Sequence, residues 1–169
     1  MTYCFSFLVC FCLIIVQTTV LPHLRLLDKF YDLLAIFVLY LGLFRSIRES
    51  IPIILFFGFI MDSLSGGPSG LYITAYFWLL VYVRWLIRYL QIGNIFLVSF
   101  VAVTGIFIQN LIFFSVFIIS GSEFKYPEYI IKAVFSQVLW SMFTGPFFLL
   151  FFNYAHKKWE KFILKFNPR

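Results

Sequence analysis

Few side chains in this sequence could carry chemistry, because 63 % of its 169 residues are hydrophobic and only 12 % are charged. One acid, Asp62, interrupts a long apolar run, and a serine, Ser69, follows it between glycines. Amides and hydroxyls dot two later apolar runs, at Thr104, Gln109 and Asn110 and then at Ser136, Gln137, Ser141 and Thr144. A carboxylate at the centre of a bilayer costs about 2.5–3.5 kcal/mol, so an acid kept there points to a partner, a proton or a cap. A serine becomes a nucleophile only with a base in reach, normally histidine. The two histidines, His23 and His156, fall on opposite sides of the expected membrane and cannot share a metal. Cys4, Cys10 and Cys12 share the first apolar run with no CxxC pair and read as plain buried thiols. No metal, cofactor or catalytic residue is expected.

Asp62 keeps two readings: a cap for the turn after it, together with Ser63 and Ser65, or a site for a partner or proton. Gly58, Asp62 and Gly66 recur every fourth residue, so on a helix they share one face and allow close backbone approach. The later amides and hydroxyls also have two readings. Hydrogen bonds between helices are one, at about 0.6 kcal/mol each. A polar pocket for a small ligand, formed by Gln109, Asn110, Gln137 and Asp62, is the other.

The elements that must position these residues follow from the apolar runs. No soluble fold hides this much apolar surface, and runs of this length do not alternate as barrel strands do. The chain is expected to be an all-α membrane protein, one six-span bundle over 1–155 with a basic tail over 156–169. The spans are expected at about 3–21, 30–44, 51–63, 71–90, 95–120 and 133–154, the first a retained span and not a cleaved signal. Spans two and three look short for a full crossing. Pro52 is expected in the first turn of span three, where a missing N–H does no harm. A Gly/Pro break at Gly66-Gly67-Pro68-Ser69-Gly70 separates spans three and four, and Gly145-Pro146 is expected to kink span six.

Charge orients such a bundle. With six spans, one side holds Arg45, Arg48, Arg84, Arg88, Lys157, Lys158, Lys161, Lys165 and Arg169, nine of the thirteen basic residues. The other side holds Arg25, Lys29, Lys125 and Lys132, nearly balanced by Asp28, Asp32, Glu123 and Glu128. The positive-inside rule then puts both termini in the cytoplasm and the Asp62 break toward the outer face. The net charge of +6 is therefore a topology signal, with no nucleic acid implied. In the tail, Trp159, Phe162, Ile163 and Phe166 form one helical stripe, with Lys157, Lys158, Lys161 and Lys165 largely opposite. That pattern suits an in-plane helix on an anionic leaflet, or a disordered basic tail that only fixes topology.

Three resemblances bear on function. Gly67-Pro68-Ser69-Gly70 is similar to the GxSG around the nucleophile of rhomboid intramembrane proteases, but no histidine is expected beside it. Over about residues 28–90 the chain resembles the bacterial rod shape-determining protein MreD family. The resemblance lies in Asp32-Leu33-Leu34, the basic turn Arg45–Arg48, and Gly58, Asp62, Ser65, Gly66, Pro68, Gly70 and Leu71. Tyr72-Ile73-Thr74 and Gly67 depart from that family's pattern. The resemblance implies a non-enzymatic scaffold of the cell-elongation and peptidoglycan-synthesis machinery in the bacterial inner membrane. It further implies work with a bitopic MreC-like partner and, through the assembly, an actin-like MreB filament and a RodA-type glycosyltransferase with its transpeptidase. The candidate docking or structural motif is then Gly58, Asp62, Ser65, Gly66, Gly67, Pro68 and Gly70, and the membrane-surface tail is Lys157, Lys158, Trp159, Lys161 and Lys165. The six-span layout also looks like the substrate-binding components of energy-coupling-factor transporters, which implies small-molecule binding as the alternative.

Overall fold

The computed structural model describes residues 2–20, 32–89, 95–119 and 127–166. His23, the loop charges Arg25, Asp28, Lys29, Glu123 and Lys125, and residues 167–169 lie outside the described residues, as do the side chains of Cys4, Glu128 and Lys165. The described residues are all-helical: α1 (Thr2–Ile15), α2 (Leu33–Phe44), α3 (Ile47–Ser65), α4 (Leu71–Ile87), α5 (Ile95–Ile119) and α6 (Pro127–Phe166). A π-helical turn, Val16–Val20, prolongs α1.

The bundle is built around its shortest helix. α2 is apolar on every side, as a helix must be when protein surrounds it completely, and each residue from Leu33 to Leu43 is buried. It touches all five other helices, which follow one another around it in the order α1, α3, α4, α5, α6. At 1.5 Å per residue its 12 residues span about 18 Å. Its shortness is thus accommodated inside the bundle, where no lipid has to be matched.

Among the described residues two helices, over Leu97–Val116 and Val134–Trp159, are long and apolar enough to cross a membrane, and three shorter apolar helices accompany them. The outer surface is apolar too: Phe11, Phe59, Phe135, Phe143 and Phe147 are all more than 60 % exposed.

Several expected boundaries move. α3 begins at Ile47, four residues early, so Pro52 lies inside the helix and not in its first turn. There the side chain of Ser50 donates to the carbonyls of Ser46 at 2.9 Å and Leu41 at 3.4 Å. α6 runs unbroken from Pro127 to Phe166, so the described part of the tail continues the last apolar helix. Its 40 residues extend about 60 Å. The helix also passes through Gly145-Pro146. A Cβ on Gly145 would lie 2.6 Å from the Cβ of Ala102, so this glycine lets α6 close on α5.

Candidate functional site

Two carboxylates organise the polar interior. Asp62 stands near the end of α3, where Gly66 ends the helix at φ 65°. Gly70 opens α4 at φ 90°, and glycine holds such backbone angles without steric cost. The turn between them brings Asp62 onto the start of α4. There Tyr72 N–H donates to its Oδ1 at 2.8 Å and Ile73 N–H to its Oδ2 at 3.4 Å. A helix begins with N–H groups that lack intrahelical partners, and a side-chain oxygen is the usual acceptor. Asp62 therefore caps the next helix from the previous one. Ser65 joins differently, with its hydroxyl donating to the Asp62 carbonyl at 3.4 Å and accepting from Gly67 N–H at 3.5 Å.

The shared face of Gly58, Asp62 and Gly66 is used within the molecule. A Cβ on Gly58 would meet the Ile73 Cα at 3.0 Å, so α3 and α4 close on each other there. Gly58 is buried and is not open to a partner helix. Gly66 and Gly70 have nothing within 4 Å of an added Cβ, so their angles, not their size, call for glycine. Ser63, Leu64, Ser65, Gly66, Gly67 and Ser69 form an exposed corner.

The second carboxylate is Asp32, counted above among the acids of the outer side and in the Asp32-Leu33-Leu34 resemblance but not among the site residues. It caps α2 by accepting Leu34 N–H at 3.0 Å on Oδ1. Its Oδ2 accepts the Tyr76 hydroxyl at 2.5 Å and the Gln109 side-chain amide at 2.9 Å. The Gln17 side chain bonds to it as well. Four elements (the π-turn, α2, α4 and α5) thus meet on one carboxyl group.

Beside Asp32 lies a cavity of about 170 Å³ lined by Gln17, Tyr72, Gln109, Asn110, Phe113 and Gln137. Gln17 is one of these lining residues, and its Oε1 is buried without a hydrogen-bond partner among the described residues. The cavity exceeds the space one water needs by about tenfold. The expected pocket is therefore corrected at one position: Gln109, Asn110 and Gln137 do come together, but with Asp32 and not with Asp62. Tyr72 connects the two regions. Its N–H reaches Asp62 while its ring lines the cavity, 5.1 Å from the Phe113 ring centroid.

The remaining polar residues of α5 and α6 act locally or between helices. Tyr82 donates to the Thr104 hydroxyl at 2.6 Å, joining α4 to α5. Asn110, Ser141 and Thr144 donate to carbonyls of their own helices. Among the described residues no histidine stands beside Ser69 on the corner. His156, the one described histidine, is buried on α6, nineteen residues past Gln137 and so about 28 Å along the axis. Among the described residues no group of three metal-ligating side chains occurs. In the tail Lys157, Lys158 and Lys161 are exposed and Trp159 is half-buried.

A sequence signal for part of this site did exist. An acid just before an apolar run marks a helix N-cap, and Asp32 fits it. Nothing local announces Tyr76 and Gln109, which lie 44 and 77 residues away. Compared with protein-family models, curated proteins and solved structures, the chain matches none.

Proposed function

We propose that this protein is a non-catalytic scaffold in the bacterial inner membrane, a six-span bundle with both termini in the cytoplasm that serves the cell-elongation machinery. In this reading it binds a bitopic MreC-type partner and, through that assembly, the MreB filament and the RodA-type glycosyltransferase with its transpeptidase. The observation that carries it is the α3–α4 corner. Asp62 fastens the start of α4 to the end of α3 across a turn made by two left-handed glycines, while the corner's outer residues stay exposed. An exposed corner whose two helices are already tied by hydrogen bonds is a suitable docking element because less ordering is needed when a partner binds. Next to it Leu55, Phe56 and Phe59 form an exposed apolar stripe along α3 at helical spacing, open to a partner helix in lipid. The apolar exterior supports membrane embedding, and the distribution of Lys and Arg supports the orientation.

Single cysteines at Ser63, Leu64 and Ser69, in a chain whose three native thiols are replaced by alanine, test this reading. Cross-linked adducts with the MreC-type partner are expected. A correctly inserted protein that yields no such adduct from any of the three positions would overturn the docking proposal.

The cavity beside Asp32 favours a second reading, a component that binds a small molecule. Its walls mix amide groups, a carboxylate and two aromatic rings, the mixture by which small-ligand sites fix orientation. Mass spectrometry of the purified protein would then find a bound compound that is lost on Gln137→Leu. Recovery of an empty protein at normal stability argues against it.

A further inference from the structure

A second cleft opens at the far end of α4, away from the Asp62 corner. It measures about 370 Å³, within the ~300–1,000 Å³ usual for ligand pockets. Ile47 and Ile51 of α3 contribute to its lining, as do Val81 and Trp85 of α4, with Arg84 and Arg88 the charged groups among its lining residues. The two arginines are four residues apart, so they point along one side of the helix.

One contact of Arg84 ties α4 to the end of α2. Its terminal nitrogen donates to the carbonyl of Arg45, which ends α2. Its Nε is buried with no hydrogen-bond partner among the described residues. A guanidinium presents a fixed fork of five N–H donors that matches phosphate oxygens, and Arg84, which lines the cleft, has terminal N–H groups beyond the one bound to Arg45. Glu49, the acid nearest in sequence to the α3 wall, does not line the cleft.

The surroundings indicate where the rest of the ligand goes. Trp85 and Tyr89 pack with ring centroids 5.2 Å apart and are more than half exposed. Aromatic pairs of this kind sit at headgroup level in membranes. One and two turns back along α4, Phe77, Trp78 and Val81 present an exposed apolar face.

We propose that this cleft binds an anionic phospholipid. The phosphate accepts hydrogen bonds from Arg84 and Arg88, the headgroup lies by Trp85 and Tyr89, and an acyl chain follows the cleft past Val81 and Phe77. Two cations with no acid in the lining select a net negative headgroup over a zwitterionic one, whose own ammonium would be repelled. The inference rests on membrane embedding and is independent of the scaffold reading, since it requires no protein partner.

Native mass spectrometry of the detergent-purified full chain tests it, with phosphatidylglycerol and phosphatidylcholine added in equal amounts. The wild type is expected to hold phosphatidylglycerol at least tenfold in preference. The Arg84→Gln/Arg88→Gln double variant is expected to lose that preference, and Arg88→Gln alone, at an exposed position that leaves the Arg84–Arg45 contact in place, to weaken it several-fold. Lys157→Gln/Lys158→Gln, which alters the basic tail, is expected to keep it. Equal uptake of the two lipids, or a preference that survives Arg88→Gln and the double variant, overturns the proposal. So does loss of the preference in the tail variant, which moves the site to α6. Inorganic phosphate alone is expected to give no thermal shift. A shift equal to that of the lipid would mean a free-anion site and also overturn the lipid assignment.

Discussion

Asp62 and Asp32 are both helix caps, yet they hold the molecule together in different ways. Asp62 joins consecutive helices: its partners are the backbone N–H groups of Tyr72 and Ile73, ten and eleven residues on. Asp32 starts its own helix and also gathers a tyrosine from α4, an amide from α5 and Gln17 from the π-turn. The first contact needs only a short turn with the right glycines. The second exists only once the whole bundle has closed. A cap to backbone tolerates any small acceptor, whereas a side-chain convergence requires that acceptor in that place.

This contrast predicts a graded set of losses. The largest belongs to Asp32→Ala, which leaves the Tyr76 hydroxyl and the Gln109 amide without their acceptor inside the bundle. Each orphaned buried group costs about 1–3 kcal/mol, so a loss of about 3–5 kcal/mol is expected in reversible unfolding in detergent. A loss under 1 kcal/mol would show that the convergence is incidental. Gly58→Leu comes next, because the new side chain meets the Ile73 backbone. Overpacking of this kind costs about 1–3 kcal/mol, read as a lowered unfolding midpoint.

Asp62→Ala is expected to cost about 1 kcal/mol, the usual worth of an N-cap, while Asp62→Asn retains an acceptor and stays within about 0.5 kcal/mol of wild type. Should Asp62→Asn lose as much as Asp62→Ala, the negative charge, and not the acceptor, is what the corner uses. The smallest effects separate neighbouring glycines. Gly66→Ala, forced to φ 65°, is expected to lose about 1 kcal/mol. Gly67→Ala, whose Cβ would stand 3.7 Å from Ser65 Oγ, is expected to be near neutral. Thermal melts of the pair, measured side by side, decide it.

Much of the helical plan was legible in the sequence, for a physical reason. Long apolar runs punctuated by Arg45-Ser46, by the Gly66–Gly70 cluster and by polar loops admit little besides helices, and α1, α4 and α5 begin within a residue of their expected starts. The misplaced boundaries had local causes that hydropathy does not register. α3 starts in the polar stretch Ile47-Arg48-Glu49, with Ser46 as the N-cap residue and the acid Glu49 in its first turn, and α6 passes through Gly145-Pro146 and on into its basic end.

By itself, then, the sequence determined the all-helical class, the two long apolar helices, the glycine-hinged corner and the acid beside it. Each depends on residues close together in the chain, where backbone preference and apolar run length act directly. Only the tertiary structure decided which helix lies at the centre, that Gly58 faces Ile73 and not a partner, and that the amides of α5 and α6 surround Asp32 in place of Asp62. Those outcomes depend on side chains separated by tens of residues. Their meeting is set by how α2 is enclosed and how α5 and α6 close around it, and no local pattern records that.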